Sequence, residues 1–183
     1  MRELAARTDS AVAGSIATFE GGEYFNRFWF VRPDGSAEHY DKKHLFGREK
    51  ASFTPGGSRV VVEWRGVRYL LAVCYDLRFP TWLRCRSDYD AILICASWPD
   101  ARRYAWDTLL RARAIENLCY VAAVNRVGED PGNSYSGGSV LLDPLGAPVC
   151  ACPDSQSCVC EATLDLSAVT SLRASFPALS DAD

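Results

Sequence analysis

The chain has 183 residues, 48% of them apolar and 23% charged, with a formal charge of −3. That length suits one domain with a substantial core and is short for two, so residues 1–183 are expected to form a single domain. The acidic balance and scattered Lys and Arg give no footprint for nucleic acid, and no apolar run reaches the roughly twenty residues of a membrane span. The opening MRELAARTDSAVAGS lacks the charged-then-apolar build of a secretory leader. A cytoplasmic address is therefore expected, with the eight cysteines mostly reduced.

Taken in chain order, VAGSIATF and YFNRFWFV predict a hairpin about Gly21 and Gly22. The RPDG turn at Arg32–Gly35 leads into a short strand, SAEHY. SRVVVEW and VRYLLAV predict a second hairpin about Arg65 and Gly66, PTWLRCRSDYD a short helix, and AILICAS a buried strand. YAWDTLLRARAIENL places Trp106, Leu109, Leu110 and Ala114 at helical spacing. CYVAAVN reads as a strand buried on both faces. GGSVLLDPLGAPVCA with SCVCEATLDL predicts a last hairpin, and SAVTSLRASF a closing helix. Strands and helices run interleaved through the whole length, which suits helices packed on mixed sheets.

The stretch LLAVCYDLRFP carries the chemistry: a core strand ends at Cys74 and turns at once into polar residues. A helix starting there would set the sulfur at a positive helix end, lower its pKa, and offer backbone N–H groups to an oxyanion. A small buried hydrophobe is the alternative for any free cysteine, and Cys85, Cys95 and Cys119 fit it, each lying within an apolar segment. Only two histidines are present, His39 and His44, and each reads as structural or surface rather than as a base. Lysine is the other partner for a thiol, since its ammonium can lower the thiol pKa and bind a developing oxyanion. YDKKHLF offers Lys42 and Lys43 at a strand end.

YDKKHLF, EKASFTPG, AVCYDLRFP, ASWP and LLRARAIENLCYVAAVNRVG, in this order, resemble the nitrilase superfamily of carbon–nitrogen hydrolases, specifically its bacterial omega-amidase-like branch. The resemblance implies an α-β-β-α sandwich and a Glu–Lys–Cys triad that hydrolyses non-peptide C–N bonds without metal or organic cofactor. By position in those motifs it assigns Lys42 rather than Lys43 as the catalytic lysine, Cys74 as the nucleophile and Glu49 as the lysine's support. It assigns the Tyr75 backbone N–H to the oxyanion and Trp98 to the pocket wall, whereas Arg113 and Glu116 read as packing residues with no chemistry. CYDLRFP favours an amidase over a true nitrilase. Small omega-amides of 2-oxo dicarboxylates are the implied substrates, ammonia the product, and a homodimer the expected assembly.

The family's general-base glutamate lies in a Pro–Glu step, and this sequence contains no Pro–Glu dipeptide. Glu3, Glu20, Glu23 and Glu38 precede Lys42, and none is placed to end a buried strand. The expectation is a fold lacking the first strand and helix, with slow turnover or none. The alternative is a non-catalytic fragment acting as an interaction protein. A last motif, CACPDSQSCVC, sets Cys150, Cys152, Cys158 and Cys160 as two Cys-x-Cys pairs that a hairpin would gather on one face. Zinc is one use for them, but the spacing is not that of a finger, and small apolar residues in an exposed hairpin are the expectation.

Overall fold

The computed structural model describes residues 1–181. In chain order the elements are α1 (Arg2–Thr8), β1 (Val12–Glu20), β2 (Glu23–Val31), β3 (Ala37–Asp41), β4 (Val61–Trp64), β5 (Val67–Val73) and α2 (Pro80–Leu83). They continue as β6 (Ala91–Ala96), α3 (Arg103–Asn117), β7 (Tyr120–Asn125), β8 (Val127–Asp130), β9 (Asn133–Ser136), β10 (Val140–Leu142), β11 (Pro148–Ala151) and α4 (Leu166–Ser175). β1, β2 and β3 make an antiparallel sheet, and a six-stranded sheet runs β11-β10-β7-β6-β5-β4. In the second sheet β5, β6 and β7 are parallel and the outer pairings antiparallel. The first hairpin closes on Gly21 and Gly22, both at positive φ, as a two-residue turn matching strand twist requires.

Side-chain alternation along the central strands builds the layers. Leu70 and Ala72 of β5, Ile92 and Ile94 of β6, and Val121 and Ala123 of β7 pack with Trp106, Leu110 and Ala114 of α3. The intervening Leu71 and Val73 face the other way, onto Phe28, Phe30 and Tyr40 of the three-stranded sheet. Where a strand is covered on both faces its positions are all apolar, which is why LLAV of β5 and AILICA of β6 read as continuous runs. Each fully buried Leu or Ile stabilises the sandwich by about 1.5–3 kcal/mol. The layers therefore stack as helix, six-stranded sheet and three-stranded sheet, the α/β sandwich expected from the sequence.

Five local expectations change. CYVAAVN is not buried on both faces, since Val124 near the end of β7 is 62% exposed. The helix expected over PTWLRCRSDYD stops at Leu83, where Arg84 turns extended. α1 and the β8–β9 hairpin form without having been predicted; VGED and NSYS are too polar to show strand alternation. The last hairpin lies wholly within VLLDPLGAPVCA, and SCVCEATLDL forms no strand. Finally, Cys150–Cys160 and Cys152–Cys158 are paired as disulfides, with Cα atoms 6.3 and 6.2 Å apart, rather than standing as reduced apolar residues. Among the described residues no cluster of three or more His, Cys, Asp or Glu side chains is arranged to hold a metal ion, and no helix is long and apolar enough to cross a membrane.

Candidate active site

Lys42 follows the last residue of β3, and its side chain is buried. The Lys42 ammonium donates to Glu49 Oε2 at 2.6 Å. Glu49 comes from the short helical turn Gly47–Ala51, and its carboxylate also accepts from the Phe46 N–H at 2.7 Å and from Asn26 Nδ2 at 2.9 Å. Burial pushes the Glu49 carboxyl up, but those three donors outweigh it and hold the group below the usual carboxylate range. An ionised carboxylate with both oxygens engaged orients the lysine and is poorly placed to take a proton. The loop returns at Gly56, whose N–H donates to the Lys42 carbonyl at 3.0 Å. A Cβ there would collide with the Asp41 carbonyl oxygen, so only glycine permits the approach.

Cys74 stands at the end of β5 with φ 47°, in the left-handed region that non-glycine residues seldom enter. It opens a 3-10 turn, Cys74–Arg78, and not the α-helix expected from the sequence. The thiol pKa is correspondingly raised, not lowered. Burial is the main cause, the Lys42 ammonium pulls it back down, the Glu49 charge adds to the rise, and the Ser97 backbone offsets part of it. Iodoacetamide labelling of Cys74 is therefore expected to keep accelerating past about pH 9, and Lys42→Met should displace that profile to still higher pH. A rate that levels off below about pH 8 in mass-mapped peptides would restore the lowered pKa.

One buried carboxylate ties the two halves of this site together. Asp76 Oδ2 accepts from the Val73 N–H at 3.0 Å and the Tyr40 hydroxyl at 2.8 Å; Oδ1 accepts from the His44 N–H at 3.0 Å and lies 2.8 Å from His44 Nδ1. It thus joins the turn bearing Cys74 to the loop bearing Lys42. His44, stacked on Phe79 at 3.7 Å, is structural, and His39 is exposed. Arg113 donates through Nε and Nη2 to the Leu77 carbonyl and pairs with Glu116 at 2.9 Å, the packing role expected of both.

Lys42, Glu49, Cys74 and Ser97 line a cavity of about 410 Å³. A second cavity, of about 250 Å³, adjoins it at Cys74, Phe46 and Ser97, and is walled by Tyr75, Trp98, Tyr135, Arg78 and Arg102. All five residues singled out in the sequence thus gather at one place. The Tyr75 N–H lies in the first turn of Cys74–Arg78, where the opening N–H groups lack intrahelical acceptors. Trp98 is buried, its N–H on Asn125 Oδ1 at 2.7 Å, its ring beside Trp106 and under the Arg78 guanidinium. Cys95 departs from expectation: it lines the cavity with Cys74, because alternation in β6 turns it away from α3. Cys85 and Cys119 are buried as expected.

Asp76, Asn125, Arg78 and Arg102 were not singled out in the sequence. Asp76 had a signal, a charge just past a core strand, which burial obliges to find partners. Among the described residues Arg78 and Arg102 make no ion pair, and Glu49 is the one carboxylate lining either cavity; Glu3, Glu20, Glu23 and Glu38 line neither.

Comparison with known proteins identifies the family. The carbon–nitrogen hydrolase family pattern matches residues 1–174. The omega-amidase YafV of Yersinia enterocolitica is 47% identical over 186 residues, spanning 100% of this chain and 73% of its own length. A 2-oxoglutaramate amidase of Bacillus subtilis is 35% identical, spanning 93% and 67%. The crystal structure of a CN-hydrolase superfamily protein from Xanthomonas campestris, with an arsenic adduct in its active site, superposes with a TM-score of 0.96 at 45% identity, covering 100% of this chain and 72% of that one. The chain belongs to the carbon–nitrogen hydrolase family: it is an amidohydrolase, an enzyme that cleaves amide C–N bonds.

Proposed function

We propose that the substrates are omega-amides of small dicarboxylates, 2-oxo acids foremost, cleaved through a thioester on Cys74. The observation that carries the substrate class is the pair of arginines, Arg78 and Arg102, without carboxylate partners among the described residues and facing the cavity that meets Cys74. A substrate carboxylate seated there turns its far amide toward the sulfur. The names of the Yersinia and Bacillus relatives point to the same compounds.

In the acylation step the Cys74 sulfur attacks the amide carbon. The Lys42 ammonium and the Tyr75 N–H receive the charge on the tetrahedral oxygen. Collapse breaks the C–N bond, and the thiol's proton ends on the departing ammonia. Water then attacks the thioester, returning the acid and the thiol. Glu49 holds Lys42 aimed, and Trp98 with Tyr135 closes the pocket around the acyl chain. The second step needs a base for water, and Glu49 is already occupied.

Intact-mass measurement after mixing with an omega-amide is the direct test. A mass gain equal to the acyl group, with ammonia released once per chain and slow release thereafter, is the expected outcome. Among the described residues the one carboxylate lining either cavity is Glu49, engaged with Lys42, and water attack without a free base is slower by about 10² to 10⁴. Ammonia release that persists in Cys74→Ser would remove Cys74 from its role. For the arginines, Arg102→Gln or Arg78→Gln should lower acylation efficiency on an omega-amide acid by roughly 10- to 100-fold and leave an uncharged aliphatic amide within about twofold, because a charge-assisted contact is what is lost. Equal losses on both substrates would place the carboxylate elsewhere.

A further inference from the structure

The four cysteines at the sheet edge are chemistry that amide hydrolysis does not use. Their pairing steps inward by two residues on each side, from Cys150–Cys160 to Cys152–Cys158, the register of an antiparallel hairpin. The bonds close sequence separations of only 10 and 6 residues. By loop-closure entropy the outer bond removes about 2–3 kcal/mol of freedom from the unfolded chain, and the inner bond removes less once the outer exists.

What the bonds do fix is the loop between Cys152 and Cys158, residues 153–157, and that loop braces the pocket wall. The Ser155 N–H donates to the Ser136 carbonyl at 2.8 Å, and Asp154 pairs with Arg103 at 2.9 Å. Arg103 also donates to Ser136 Oγ at 2.9 Å, and the Ser136 N–H donates to Asp100 Oδ1 at 2.7 Å. Asp100 opens the turn Asp100–Arg102, and Tyr135 precedes Ser136; Arg102 and Tyr135 both face the cavity at Cys74. Cys158 is exposed and the other three sulfur-bearing residues are partly so, which leaves the bonds open to reagents. Accessible disulfides exchange with small thiols.

We infer that Cys150, Cys152, Cys158 and Cys160 form a reversible redox site whose oxidised state clips the 153–157 loop against β9 and so steadies the wall that carries Arg102 and Tyr135. A dithiol reductant delivers two electrons and two protons to each S–S bond, leaving two cysteine thiols and one oxidised reductant. Complete reduction takes two equivalents. Its effect on ligand binding rests on the substrate class proposed above; the redox chemistry and the clamping of β9 do not.

The purified chain, air-oxidised or treated with dithiothreitol, is quenched with iodoacetamide and mapped by mass. Reduction should add four labels, at these four cysteines, and re-oxidation should remove them. Amide hydrogen exchange of residues 133–136 and 153–157 should quicken by about tenfold or more on reduction, and glutarate, followed through Trp98 fluorescence, should bind about fivefold or more weakly. A Cys152→Ser/Cys158→Ser chain should resemble the reduced form at β9 and ignore reductant there. Labels at Cys150, Cys152, Cys158 and Cys160 without reductant, one retained zinc per chain, or unchanged exchange at residues 133–136 would each overturn the inference. Changed labelling and exchange with no glutarate binding in either state would uphold the redox site and sink the substrate class instead.

Discussion

Lys42→Met is expected to cut the rate of Cys74 acylation by about 10³ or more while the chain stays folded. The substitution keeps the length and apolar stem of a side chain that is 2% exposed, and deletes only the ammonium. Two roles go with it. The tetrahedral oxygen loses one of its two proposed donors, a loss that typically costs about 10²- to 10³-fold. The thiol also loses the cation that partly offsets its burial, so less thiolate is present at any pH below its raised pKa. Breaking the pair with Glu49 costs some stability, softened because Asn26 and the Phe46 N–H still hold that carboxylate. Single-turnover adduct formation, with a thermal melt alongside, separates the two effects. A rate within about tenfold of the parent would show that the ammonium does not meet the oxyanion.

Asp76→Asn should give the other large effect, this time on the fold. The carboxylate is fully buried and accepts from donors on every side, so an amide in its place must point its NH₂ at a donor. Leaving such groups unpaired costs about 3–5 kcal/mol, or roughly 10 °C in Tm for a chain of this size. Because Asp76 fixes both the Cys74 turn and the Lys42 loop, acylation should fall even at temperatures where the variant is fully folded. A variant that melts with the parent, or that melts early but acylates at the parental rate, would show that the network does not set the geometry.

Most of the sandwich was legible because β5, β6 and β7 announce themselves as apolar runs and α3 by its spacing. Cys74 was legible because it follows a core strand beside turn-forming residues, and Lys42 and Lys43 were both legible at a strand end; the choice of Lys42, and Glu49, Tyr75 and Trp98, came only from the family resemblance. Asp76 and Asn125 act by gathering donors from segments far away in the chain, and no local pattern records that. The pKa of Cys74 was misjudged for a related reason: CYDLRFP looks like a strand entering a helix, but the backbone takes a tight left-handed step, and burial then outweighs the charges nearby. Arg102 carries no sequence signal at all; only the fold of the Asp100–Arg102 turn brings it to the cavity.

The left-handed backbone at Cys74 sets folding and reactivity against each other at one residue. Holding a Cβ-bearing residue at φ 47° costs on the order of 1–2 kcal/mol, a load that glycine would not impose. The position best suited to relaxing the chain is thus the one whose sulfur makes the reaction possible. Variants recovered by screening for thermal robustness alone should drift toward Cys74→Gly and fall silent. Those recovered by screening for ammonia release should keep cysteine there and accumulate their compensating changes elsewhere.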